Sequence, residues 1–191
     1  IEAMMGLFFA VIFGVSAAIM LFYSPRMRAG LYPLLVLSQT IPIVALAPLL
    51  LIWFGFGISP KVIIVVLYCF FPITIAVADA LRTTDENLVD LLKSMRASPW
   101  QIMRFIRLPA ALPAFFSSVK IAATYSIAAA IVGEFVGAYR GLGVYIVTSA
   151  NSHAIDLVFA ALFVTAFMTV FLLLSVSIAE RMLVPWRYAH E

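Results

Sequence analysis

Residues 157 to 179 read LVFAALFVTAFMTVFLLLSVSIA, without a charge between Asp156 and Glu180. At 1.5 Å per residue such a helix is about 35 Å long, enough to cross the roughly 30 Å hydrocarbon core of a bilayer. A buried helix of a soluble protein rarely needs so long an apolar run. This stretch therefore makes lipid the solvent against which the rest of the chain is read.

Further charge-free stretches occupy 3–25, 29–60, 62–78, 108–119 and 121–133. Together they predict spans at 4–23, 33–54, 60–80, 112–136 and 157–180, hence an all-α, polytopic transmembrane bundle in one domain, 1–191. Pro33, Pro42 and Pro48 predict a kink in the second span, since proline is tolerated in a membrane where neighbours satisfy the freed carbonyls. Lys120 and Glu134 interrupt the fourth and are expected to snorkel to the interfaces. Composition agrees. Of 191 residues 65% are hydrophobic and 11% charged, against about 25% charged in a soluble domain. The single cysteine, Cys69, excludes a disulfide scaffold, and 16 Phe exclude disorder. The scattered Lys and Arg form no basic run, so no nucleic-acid partner is expected.

Basic residues set the expected orientation. Arg26 and Arg28 lie in the first connection, Lys61 alone in the second. Arg82, Lys93, Arg96, Arg104 and Arg107 lie in the third, Arg140 alone in the fourth, Arg181 and Arg187 in the tail. The first and third connections and the C-terminus are thus expected in the cytoplasm. The chain then starts outside, and with Ile1, so a preceding segment with one more span is expected.

Nine of the 21 charges fall between Asp79 and Arg107. Two short amphipathic helices are predicted there. Thr83 to Glu86 fits a capping box, followed by the apolar stripe Leu88, Leu91, Leu92 and Met95. Ser98-Pro99-Trp100-Gln101 is a second box with proline at the favoured first position. Ile102, Phe105 and Ile106 give its stripe, and Leu108-Pro109 is expected to end it. The pair suits either a loop lying on the membrane or a docking element.

The spacing of Asp90-Leu91-Leu92, Arg96 and Ile106-x-Leu108-Pro109 resembles the "EAA" loop of ABC-importer permeases: Glu-Ala-Ala, three residues, Gly, nine residues, Ile-x-Leu-Pro. The run from Gln39-Thr40-Ile41-Pro42 through Ala47-Pro48-Leu49 to Trp53-Phe54-Gly55-Phe56-Gly57 is similar to the nitrate/sulfonate/taurine branch. Gly133-Glu134 and Gly141-Leu142-Gly143 fit the same pattern. The resemblance implies a type I importer permease in the bacterial plasma membrane, as a homodimer with two cytoplasmic ATPase subunits and an external solute-binding protein. ATP and Mg would sit on the ATPase, with no cofactor or metal on this chain. It implies coupling to the ATPase through 82–109, with Leu88, Asp90, Leu91, Leu92, Met95, Arg96, Ala97, Ser98, Trp100, Ile106, Leu108 and Pro109. Asp90 stands where the family has Glu. Arg96 stands where it has Gly, and would cost about 1 kcal/mol if that turn is left-handed.

Polar or small groups within spans give the expected path: Gln39, Thr40, Pro42, Tyr68, Tyr125, Ala129 and Glu134. Glu134 either pairs locally, with Arg140, or borders an outer gate. His153 and Asp156 are expected to be loop residues. The stretches Cys69-Phe70-Phe71-Pro72 and Lys120 to Ser126 look most like permeases for thiamine-precursor pyrimidines or riboflavin, and Trp53, Tyr68 and Tyr125 offer aromatic lining. Sulfonates, taurine or nitrate remain as substrates of the same machinery. A secondary transporter or channel lacks support from inverted repeats or midplane charges. An intramembrane enzyme lacks a catalytic constellation.

Overall fold

A computed structural model describes residues 1–187. They form α1 (Glu2–Tyr23), α2 (Pro25–Ser38), α3 (Ile43–Phe54), α4 (Ile58–Arg82), α5 (Glu86–Ser94), α6 (Pro99–Ile102), a π turn (Met103–Arg107), α7 (Leu108–Gly137), α8 (Leu142–Asn151), α9 (Ile155–Leu183) and a short 3₁₀ turn (Pro185–Arg187). No strand occurs among the described residues.

Helix α4 is the hub, packed between α1 and α7. Its buried residues Lys61, Val65, Cys69, Ile73, Val77 and Leu81 recur at every fourth position, which is one helical face. Facing it, α1 presents Gly6, Ala10, Gly14 and Ala18, also four apart and all buried. Small residues let helix backbones approach closely where lipid supplies no hydrophobic drive between them. The fit is tight: a Cβ on Gly6 would lie 2.4 Å from Val65 Cβ, and one on Gly14 3.0 Å from Ile73 Cγ2. The other side of α4 receives Ala122, Ala123, Ser126, Ala129 and Ala130 of α7, buried on the same principle.

Polar contacts fix which ends lie together. At one end Lys61 Nζ donates to Glu2 Oε1 at 2.9 Å, and its stem runs past Gly133, where a Cβ would lie 3.4 Å from Lys61 Cγ. At the other end Arg107 donates to the Leu81 carbonyl at 2.7 Å and sits 4.7 Å over the Phe22 ring. Hence α1 and α4 run the same way and α7 runs against them.

The expected kinked second span is instead two helices, α2 and α3, meeting at 102°. The pair begins at Pro25 rather than 33. It is one crossing, because its two halves are held at opposite ends. Arg28 of α2 pairs with Asp79 near the C-terminus of α4 at 2.9 Å. Leu51 of α3 packs on Gly137 at the far end of α7, where a Cβ would lie 2.4 Å from Leu51 Cδ1. With α1, α4, α7 and α9 this gives the five expected crossings.

Two local expectations are overturned. Leu108-Pro109 does not end the second cytoplasmic-type helix. The chain passes through the π turn into α7, so that 99–137 is one continuous 39-residue helical run. In a regular α-helix the Pro109 ring would meet the Phe105 carbonyl four residues back, and the wider turn at 103–107 relieves that clash. Lys120 does not snorkel freely. It donates to Glu180 of α9, which is fully buried and also accepts from Arg187.

Candidate functional site

The break between α2 and α3 follows from local chemistry. Ile41 precedes a proline and is biased away from helix, and Pro42 has no N–H to offer. Helix α2 closes with three-residue-back bonds: Gln39 N to Val36 O at 3.3 Å, Thr40 N to Leu37 O at 3.0 Å and Ile41 N to Ser38 O at 3.2 Å. Pro42, extended at φ −67° and ψ 122°, starts α3. Irregular backbone at membrane depth is tolerated only against protein or a cavity. This elbow borders such a cavity, a recess of about 140 Å³ closed by α4 and α7.

Gln39, Tyr68 and Tyr125 line the recess together with Ser38, Phe71 and Pro72. The two tyrosine rings lie 5.1 Å apart at 49° and form one aromatic wall. No charged side chain lines it. Structure therefore brings together three of the seven expected path residues. Thr40 is exposed, its Oγ1 donating to the Leu37 carbonyl at 2.7 Å, and Pro42 is exposed at the corner itself. Trp53 is exposed near the end of α3 and lines no part of the recess. Ala129 is 1% exposed inside the α4–α7 packing, which leaves it no surface along a path through this chain. Glu134 stands at the Lys61 end and accepts from the Gly143 N–H at 2.6 Å. The expected pairing with Arg140 is replaced by this backbone contact, because Gly141 and Gly143 let α8 fold directly onto the carboxylate. A Cβ on Gly141, whose φ is +142°, would lie 2.2 Å from Glu134 Cδ.

The second feature is the hairpin of α5 and α6 between α4 and α7. The expected Thr83 capping box does not form. Helix α4 runs on to Arg82, so Thr83 is its C-cap and its Oγ1 donates back to the Asp79 carbonyl at 3.1 Å. Asp85 caps α5 instead, accepting from Asn87 N at 2.9 Å. The Ser98 box forms as expected, with Gln101 N to Ser98 Oγ at 3.3 Å and Ser98 N to Gln101 Oε1 at 2.7 Å. Between the helices Arg96 is left-handed, at φ +59°. Ala97 N bonds to Leu92 O at 3.0 Å and Arg96 N to Lys93 O at 2.9 Å, the paired bonds of a Schellman cap. The turn is thus the one glycine favours, built with an arginine.

Val89, outside the expected stripe, is the α5 side chain buried against the bundle. Leu88, Leu91 and Met95 are exposed, as are Trp100 and Phe105, while Leu92, Ala97, Ile106, Leu108 and Pro109 are half-buried. Asp90 is exposed and pairs with Lys93 at 2.8 Å, and Ser98 is exposed at its cap. The hairpin therefore presents an apolar face that none of the described residues covers. His153 serves a structural end: left-handed at φ +57°, it closes α8 with a second Schellman cap. No cluster suited to a metal ion occurs among the described residues. The reading of the sequence missed Glu180. Its signal was an acid closing the last apolar run, a candidate partner for the lysine, Lys120, inside another span.

Residues 10–187 match the family described as "Binding-protein-dependent transport system inner membrane component". The chain belongs to this family, the permeases of ABC importers: it is a multi-pass membrane permease subunit and not an enzyme. It is 44% identical over 165 residues to a "Probable ABC transporter permease protein" of Haemophilus influenzae, covering 86% of this chain and 67% of that one. It is 35% identical over 182 residues to the "Formylaminopyrimidine transport permease protein ThiX" of Halalkalibacterium halodurans, covering 95% and 73%. A chain of the inward-facing MetNI methionine ABC transporter superposes with a TM-score of 0.80, covering 95% of this chain and 91% of that one. At 18% identity this last likeness concerns the fold alone.

Proposed function

We propose that this permease passes a thiamine-precursor pyrimidine of the hydroxymethyl- or formylaminopyrimidine type from an external binding protein to the cytoplasm. The observation that carries this reading is the uncharged recess at the elbow, with its Tyr68–Tyr125 wall and the Gln39 amide. Aromatic faces and an amide suit a flat, neutral heterocycle with ring nitrogens and an exocyclic amine. A sulfonate or nitrate would favour a basic lining, and riboflavin, also planar, is the second reading. The similarity to the formylaminopyrimidine permease supports the first.

The rest of the machine follows from the same reading. Two copies of this chain pair about an axis, closed two-fold symmetry being the commonest assembly. Two ATPase subunits, carrying ATP and Mg, dock on the exposed apolar face of the 86–107 hairpin. Arg26, Arg28, Arg82, Arg104, Arg107, Arg181 and Arg187 gather at the hairpin's end of the bundle, and Lys61 and Arg140 stand at the other. This bias supports a cytoplasmic hairpin and C-terminus, with the Glu134–Gly143 contact toward the binding protein. Uptake of labelled formylaminopyrimidine into vesicles carrying the complete transporter tests the reading, with riboflavin and taurine as competitors. Tyr125→Ala should abolish uptake at matched expression. Competition by taurine and not by pyrimidines would refute the substrate.

A further inference from the structure

We propose that the hairpin's end of the bundle carries a built site for an anionic phospholipid, its headgroup among three arginines and one acyl chain in the groove beside α1 and α2. A recess of about 320 Å³ opens there between α1, α4, α5 and the π turn, with Arg28, Arg82 and Arg107 on its walls. Arg107 is held by the Leu81 carbonyl and the Phe22 ring, so its guanidinium is fixed in place. Arg28 spends Nη2 on Asp79 and lies 4.6 Å over the Tyr32 ring. Its Nη1 is sealed from water with no hydrogen-bond partner. That sealed donor is a local cost of the Arg28 placement, and it is the rest of the side chain that lines the recess. Arg82 is exposed and forms no ion pair or hydrogen bond among the described residues.

The charge balance selects the ligand. Three guanidiniums face Glu86 on the rim and Asp79 behind Arg28, which leaves one positive charge. A phosphodiester headgroup with one negative charge matches it. Directly adjoining, and sharing Leu21 with the recess, runs an apolar groove of about 340 Å³ lined by Met20, Leu31, Leu34, Phe70 and Phe71. A free phosphate would have no use for that groove, whereas an acyl chain fills it. Basic pockets between membrane helices at the headgroup level take acidic lipids by this combination. The groove ends on Ser38 and Phe71, which also line the elbow recess, so a seated chain would press on the break between α2 and α3.

Native mass spectrometry of the full chain, purified in detergent and titrated with dioleoyl phosphatidylglycerol or dioleoyl phosphatidylcholine, tests this. One phosphatidylglycerol per chain should be retained in preference to phosphatidylcholine. Arg82→Gln, which breaks no ion pair or hydrogen bond among the described residues, should weaken retention about five-fold, the effect of one basic side chain at a membrane surface. Leu34→Asn, an exposed groove position, should weaken it as well, and millimolar inorganic phosphate should not displace the lipid. Equal retention of both lipids, no effect of either substitution, or displacement by phosphate would overturn the proposal.

Discussion

Replacing Leu91 and Met95 together by alanine tests whether the hairpin's apolar face is a contact surface. Leu91 is 55% and Met95 72% exposed. More than half of each side chain therefore remains to be withdrawn from water. Full burial of such a side chain is worth about 1.5–3 kcal/mol, so each holds about 1 kcal/mol in reserve for a partner. The double variant should bind the ATPase subunit about thirty-fold more weakly, a loss of ~2 kcal/mol. The permease itself should hardly notice. Surface substitutions fall within about 0.5 kcal/mol, which for a chain of this size moves the Tm by about 1–2 °C. Leu91→Asp should be more severe, since it adds the desolvation of a carboxylate to the lost contact. The assay is titration of purified ATPase subunit onto the permease in lipid nanodiscs, with thermal unfolding of the permease alone alongside. Unchanged affinity in the double variant would refute the docking argument. So would a large fall in Tm, which would mean that the face is internal support.

Other perturbations probe the framework. Gly6→Leu should force α1 and α4 apart and lower thermal stability by about 1–3 kcal/mol, while Gly30→Ala, with open space around it, should be neutral or stabilising in the same melt. Arg96→Gly should relieve the left-handed turn by about 1 kcal/mol, read as slower amide exchange across 86–97, and faster exchange would contradict the cap. Glu180→Gln takes away the acid that Lys120 and Arg187 share. Its cost should fall below the about 3–5 kcal/mol of a fully buried pair, because both cations keep some exposure. An unchanged melting curve would show that the triad holds nothing. Gly141→Ala should displace α8 from Glu134 and impair uptake with the 86–107 hairpin still able to bind ATPase, and normal uptake would show that the contact takes no part in transport.

Residue order alone determined the number of crossings, the antiparallel run of the bundle and the place of the hairpin. Those features rest on local quantities: twenty-odd apolar residues against a fixed bilayer thickness, basic residues between them, and a Ser98 cap whose partner Gln101 is three residues away. The same was true of the left-handed turn at Arg96, legible because the hairpin's spacing resembles a pattern that carries glycine there. What the sequence left open is set by contacts between residues far apart in the chain. Lys120 looked like a snorkelling residue because its partner, Glu180, is sixty positions away. Ala129 looked like a path residue because small side chains suit both close packing and an open lumen, and only burial against α4 separates the two. Thr83 lost its capping role because α4 continued one turn further than its apolar run. The recess itself exists only because α2 and α3 diverge at 102° while α4 and α7 close over the gap. Prolines announce that a helix will break. The angle, and which side chains then face the opening, depend on the helices packed around it.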